Sequence, residues 1–123
     1  MIIQGSITDG LHSSPVTSYW HYNPDDPWAI TVGFLDSSAV WNFYFPMFMD
    51  VFTQPSDGLH GAGDVLVEIS EDKALIHLDN GQQSGTLVFP ADEIREFLNR
   101  AYNVSKDADE IVSRELEEFL ETL

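Results

Sequence analysis

The side chains best equipped for chemistry in this chain are four histidines and a set of adjacent carboxylates. The histidines are His12, His21, His60 and His77; the carboxylate pairs are Asp25-Asp26, Glu71-Asp72, Asp92-Glu93 and Asp109-Glu110. Imidazole and carboxylate together bind metals and run general acid–base catalysis. Their spacing here points elsewhere. The histidines fall in separate segments, and none belongs to a ligand pattern such as H-E-x-x-H. A calcium loop needs oxygen ligands at alternating positions, a central glycine and a closing Glu, and none of the acidic pairs supplies it. The pairs sit instead at expected turns and helix starts, where acids cap backbone amides. The chain has no cysteine, which removes thiolate nucleophiles, disulfides and cysteine zinc sites together. It also has no G-x-S-x-G nucleophile elbow. Gly61-Ala62-Gly63-Asp64 precedes a strand rather than a helix and lacks the lysine of a phosphate loop. Close backbone approach or positive φ explains it better. The expectation is a protein without catalytic residues, metal or cofactor.

Charge narrows the partners. The 123 residues hold 21 acidic and 5 basic side chains, a formal net charge of -16. A globule of this mass exposes roughly 6,600 Å², so about one uncompensated negative charge falls on every 400 Å². Residues 1–72 contain ten Asp or Glu and not one Lys or Arg; all five basic residues, from Lys73 to Arg114, lie beyond them. Nucleic-acid binding needs a basic stripe that releases counterions, and none is available. Docking on an anionic membrane is disfavoured for the same reason. No apolar run reaches the length of a membrane span, and Met1-Ile2-Ile3-Gln4-Gly5 carries no basic leader, so a cytoplasmic address is expected.

The elements that would position these groups read as strands followed by helices, one domain over residues 1–123. Ile2 to Ile7 and Val16 to Tyr22 suggest two strands, separated by the Asp9-Gly10 turn. Asn23-Pro24-Asp25-Asp26-Pro27 is turn chemistry. Trp28, Ile30, Val32 and Phe34 alternate onto one face, and Trp41, Phe43 and Phe45 share a face, so 28–45 is a hairpin. Pro46 opens a short helix with Met47, Phe48, Val51 and Phe52 on one side. A glycine loop over 58–64 leads to a strand at Val65, Val67 and Ile69, then a hairpin of 74–78 with 86–89. Beyond Pro90, the stripe Ile94, Phe97, Leu98, Ala101 and Tyr102 predicts one helix; Ile111, Val112, Leu116, Phe119 and Leu120 predict another. The class is α+β, with about seven antiparallel strands, one short helix and two C-terminal helices.

Aromatic residues are in surplus. Tyr19, Trp20, His21 and Tyr22 are consecutive, so a strand sends some of them to each face. Rings left over from the core mark a protein interface. The candidates are Trp20, Phe45, Phe48 and Phe52, with Leu116 and Phe119 on the last helix.

The order of these motifs resembles one family. Asp26-Pro27-Trp28-Ala29-Ile30, the Trp41-Asn42-Phe43 strand, Gly61-Ala62-Gly63-Asp64-Val65 and Phe97-Leu98 follow one another as in the SsgA/SsgB-like sporulation and cell-division proteins of actinobacteria. The resemblance covers about residues 16–104. It implies structural roles for Asp26, Pro27, Trp28, Trp41, Phe43, Gly61, Gly63 and Asp64. It also implies a strongly bent, whirly-like sheet and a homo-oligomeric, non-enzymatic adaptor in septation or sporulation, binding the tubulin-like division protein FtsZ or an SsgA-like partner at division septa. Where the family carries a small residue, Arg, Asp and two leucines, this chain has Tyr44, Phe45, Pro46, Met47 and Phe48, without the charged pair. That departure suits a phage-encoded member as well as a host one. The alternative reading is an acidic decoy that blocks the nucleic-acid site of a host protein.

Overall fold

The computed structural model describes residues 1–35, 37–53, 60–62 (backbone only), 65–79, 81 and 84–105. Eight antiparallel strands form one sheet in the order β4-β3-β2-β1-β8-β7-β6-β5. They are β1 (Ile2–Thr8), β2 (Ser13–Tyr22), β3 (Ala29–Phe34), β4 (Val40–Tyr44), β5 (His60–Ala62), β6 (Val65–Ser70), β7 (Lys73–Asp79) and β8 (Ser84–Pro90). Helix α1 (Phe45–Thr53) follows β4, and a second helix, α2, occupies 91–105. The α+β class with a strongly bent antiparallel sheet is thus observed, the sheet curling into a half-barrel. The second C-terminal helix expected beyond residue 106 lies outside the described residues.

Alternation explains which side chains fill the barrel. Register pairs Ser18 with Phe34, Trp20 with Val32 and Tyr22 with Ile30, and pairs Val32 with Trp41 and Ile30 with Phe43. Opposed residues share a face, so one set turns inward. On the other half, Phe89 faces Ala74, Leu87 faces Ile76, and Ile76 faces Val67, again inward. Helix α1 adds Met47, Phe48, Val51 and Phe52, and α2 adds Ile94, Phe97, Leu98 and Ala101. Each fully buried large side chain contributes about 1.5–3 kcal/mol.

The two halves of the sheet meet where β1 pairs with β8, through Ser6↔Val88, Ile7↔Leu87 and Thr8↔Thr86 only. Just beside that seam, a Cβ on Gly5 would collide with the Val88 carbonyl oxygen and the Phe89 ring. Glycine lets the aromatic ring cross the strand there.

Turns follow the sequence chemistry. Asp9 accepts hydrogen bonds from the Leu11 and His12 amides, and Gly10 has φ 95°. Asp79 accepts from the Gly81 amide, with φ 87° at Gly81. Two expectations are corrected. His60–Ala62, expected in a loop, forms the short edge strand β5, because main-chain pairing (Gly61↔Leu66) needs no side chain. Tyr102, expected on the buried stripe of α2, is half exposed. At about 100° per residue it lies roughly 90° from the centre of the Ile94–Ala101 stripe, at its rim.

Candidate protein-interaction face

Four of the residues expected at an interface occupy the core. Trp20 and Phe48 are at most 1% exposed, and Phe45 and Phe52 are below 10%. Trp20 sits at the centre: its ring meets Phe48 at 6.0 Å, Phe89 at 5.6 Å and Phe97 at 5.6 Å, all edge-on. Its indole N–H donates to Ser18 Oγ at 2.8 Å, and the Ser18 hydroxyl donates to the Ile3 carbonyl at 2.7 Å. Phe45 packs on Tyr22 with centroids 4.9 Å apart, and Phe52 lies beneath the Arg95 guanidinium. Trp20 occupies an even-numbered, inward position of β2, and Phe45, Phe48 and Phe52 lie on the buried face of α1; for all four the interface assignment is corrected. Leu116 and Phe119 lie outside the described residues.

The rings that face solvent are their neighbours. Tyr19 and His21 project from the outer face of β2 and stack with centroids 6.4 Å apart, 12° from parallel. Trp28 and Tyr44 stack at 6.4 Å and 16° where β3 and β4 begin and end, the Phe45 amide donating to the Trp28 carbonyl. Trp28 is 62% exposed, Tyr44 49% and Tyr19 48%. Between the two stacks, Thr31 and Asn42 share a 3.0 Å hydrogen bond across the β3–β4 pair. Ile2, Val40 and Leu35 are exposed as well. Trp28 departs from the alternation expected of it. It belongs to the turn, where the Ala29 amide bonds back to the Asp26 carbonyl and Tyr22 Oη donates to the Pro27 carbonyl, and a two-residue period does not apply before the strand begins. Of the other residues marked by motif, Phe43 is core, Trp41 is half-buried against it and Gly61 is in β5. Gly63 and Asp64 lie outside the described residues.

Beside this face is a notch of about 320 Å³ between the β2–β3 turn, α1 and α2. Pro27, Phe45 and Pro46 line it with Trp28, Tyr102 and the exposed carboxylate Asp50. A different, mainly apolar cleft of about 250 Å³ opens on the inner face near the seam, lined by Ile7, Val16, Phe34, Trp41 and Leu87.

Glu68, His77 and Thr86 form a hydrogen-bonded set of polar side chains. His77 Nε2 lies 2.8 Å from Glu68 Oε1, and His77 Nδ1 lies 2.8 Å from Thr86 Oγ1. With the carboxylate accepting, Nε2 carries the hydrogen and the Thr86 hydroxyl donates to Nδ1. The order carboxylate–imidazole–hydroxyl is that of an acyl-transfer relay. Here the three ride the neighbouring strands β6, β7 and β8 on the outer face of the sheet. The arrangement ties β6, β7 and β8 in register. Among the described residues no group of three or more His, Asp or Glu is placed to hold a metal. Backbone amide bonds from His12, then Leu11, hold the Asp9 carboxyl below its ordinary value. No helix among the described residues is long and apolar enough to cross a membrane.

Comparison with known proteins bears on the whole arrangement. The family described as "Streptomyces sporulation and cell division protein, SsgA" matches residues 16–110. The chain belongs to the SsgA family. Among solved structures, an SsgB reported with mutations that correlate to longitudinal cell division during sporulation of Streptomyces coelicolor has TM-score 0.71 at 23% identity, covering 81% of this chain and 80% of that one. An SsgA-like sporulation-specific cell division protein from Thermobifida fusca YX-ER1 has TM-score 0.71 at 20% identity, covering 96% and 94%. At these identities the two share the SsgA fold with this chain. No protein of curated function matches the sequence significantly. Membership in the SsgA family ties the chain to sporulation and cell division, and the Asp26-Pro27-Trp28 and Trp41-Asn42-Phe43 segments, both within the matched span, frame the outward aromatic face.

Proposed function

We propose that this chain is a non-enzymatic adaptor of cell division or sporulation septation, which acts by binding another protein through its outer aromatic face. The observation that carries the reading is the pair of solvent-facing stacks, Trp28–Tyr44 and Tyr19–His21, on the face of the sheet opposite the one that packs against α1 and α2. Aromatic rings held in place by a sheet and the turn beside it are the usual anchors of an interface, because they bury large area at small entropic cost. The partner is FtsZ or a second SsgA-like protein, engaged at division septa, and the chain acts as a homo-oligomer. Purified chain immobilised and challenged with FtsZ and with an SsgA-like host protein tests this. Retention of either, lost on Trp28→Ala with Tyr44→Ala, is the expected result. Failure to retain both proteins removes the adaptor reading.

The strongly acidic first half supports a second reading, a decoy for a basic nucleic-acid site. Scattered Lys substitutions among residues 1–72 that leave the stacks intact would then abolish binding. Under the adaptor reading they only weaken it.

A further inference from the structure

We infer that the notch bounded by Trp28, Asp50 and Tyr102 is a seat for an arginine side chain on a basic segment of the partner, an assignment that rests on the adaptor reading and gives it a chemistry. The notch combines what a guanidinium needs. Two exposed aromatic rings line it, Trp28 (stacked on Tyr44) and Tyr102, beside one carboxylate that supplies a counter-charge, and Pro27, Phe45 and Pro46 add apolar lining for the methylene stem. Its volume of about 320 Å³ falls at the lower end of small-ligand sites, about 300–1,000 Å³. That size suits one side chain rather than a folded element.

Charge commits the occupant. Asp25 and Asp26 lead directly into Pro27-Trp28, and Asp50 stands on α1, in a stretch of 72 residues with no Lys or Arg. A cation approaching this side meets no like charge from that stretch. The chain also builds the same arrangement within itself. The Arg95 guanidinium lies 5.6 Å over the Phe52 ring while Nη1 holds Asp92 Oδ1 at 2.9 Å, so a guanidinium between a ring and a carboxylate is compatible with this surface. Arginine is favoured over lysine because its flat group can stack on a ring and bond a carboxylate at once.

The test uses the full chain and a labelled peptide, acetyl-Gly-Arg-Gly-Arg-Gly-amide, beside its citrulline counterpart, which keeps shape and removes charge. Binding is read by fluorescence anisotropy at low salt and by the shift of the Trp28 indole N–H resonance. The expected result is binding of the arginine peptide with a shifted Trp28 signal. Citrulline should abolish it, and Asp50→Asn and Trp28→Ala should each weaken it about five- to ten-fold. Removing one charge at the β6–β7 turn with Asp72→Asn should change it less than about two-fold. Equal binding of the citrulline peptide overturns the assignment, as does an Asp50→Asn effect no larger than that of Asp72→Asn, since either means diffuse attraction to an acidic protein. If Trp28→Ala fails to fold, Asp50→Asn and the citrulline peptide still decide. The two readings fail separately. A chain that seats the arginine peptide but retains no division protein overturns the adaptor role and leaves the seat. A chain that retains FtsZ but does not discriminate citrulline overturns the seat and leaves the adaptor role.

Discussion

Ser18 is the only buried polar side chain among the described residues, and it is placed to receive the Trp20 indole N–H while donating to the Ile3 carbonyl. Ser18→Ala would leave the Trp20 indole N–H, on the largest ring of the core, without a partner, while the Ile3 carbonyl keeps its backbone bond to the Ser18 amide. We expect a loss of about 1–3 kcal/mol, read as a lower urea midpoint with unchanged slope. Glu71 makes the opposite case. It adopts φ 57° in the two-residue turn between β6 and β7, a left-handed conformation that a side chain with a Cβ resists. Glu71→Gly should therefore raise stability by about 0.5–1 kcal/mol, seen as a higher melting temperature. At this scale the sequence was legible where local chemistry decides. The Asp9-Gly10 and Asp79-Asn80-Gly81 turns could be read directly because the Asp side chains bond amides two or three residues on. Which ring of Tyr19-Trp20-His21-Tyr22 faces inward could not, since strand alternation fixes two classes but not which class meets the core.

Elements were more legible than their orientations. The hairpin of β3 with β4, the helix begun near Pro46 and the stripe of α2 all followed from apolar spacing, because burial of one face is what makes each element stable. The interface was misplaced for the same reason: Phe45, Phe48 and Phe52 have the spacing of an exposed anchor set, yet that spacing equally describes a helix seated on a sheet. Only the sheet's curl, which brings α1 over Trp20, separates the two. Paired substitutions make the distinction measurable. Phe48→Ala should cost about 3–5 kcal/mol, whereas Trp28→Ala, on an exposed stack, should change stability by less than about 1 kcal/mol while removing partner binding. Chemical denaturation of both variants checks this, and similar losses at the two sites would contradict the assignment of faces.

At the scale of the whole molecule, a net charge of -16 repels itself across the surface. Raising salt from about 10 mM to 150 mM shortens the screening length from about 30 Å to 8 Å. Calorimetry should show the melting temperature rising over that range, while affinity for a basic peptide falls; the same ions act oppositely on folding and on binding. The architecture was legible as strands then helices, but the sheet order was not. Sequential strands usually neighbour one another, and nothing local in Ile2–Thr8 announces that it also pairs with Ser84–Pro90. That seam has a consequence during synthesis. The hairpins from β1 to β4 can assemble as they leave the ribosome, yet the second edge of β1 stays bare until β8 emerges. The pace of translation between residues 44 and 90 thus sets how long a half-built sheet, with Ile7 at its open margin, is available to chaperones or to the same edge of another nascent chain.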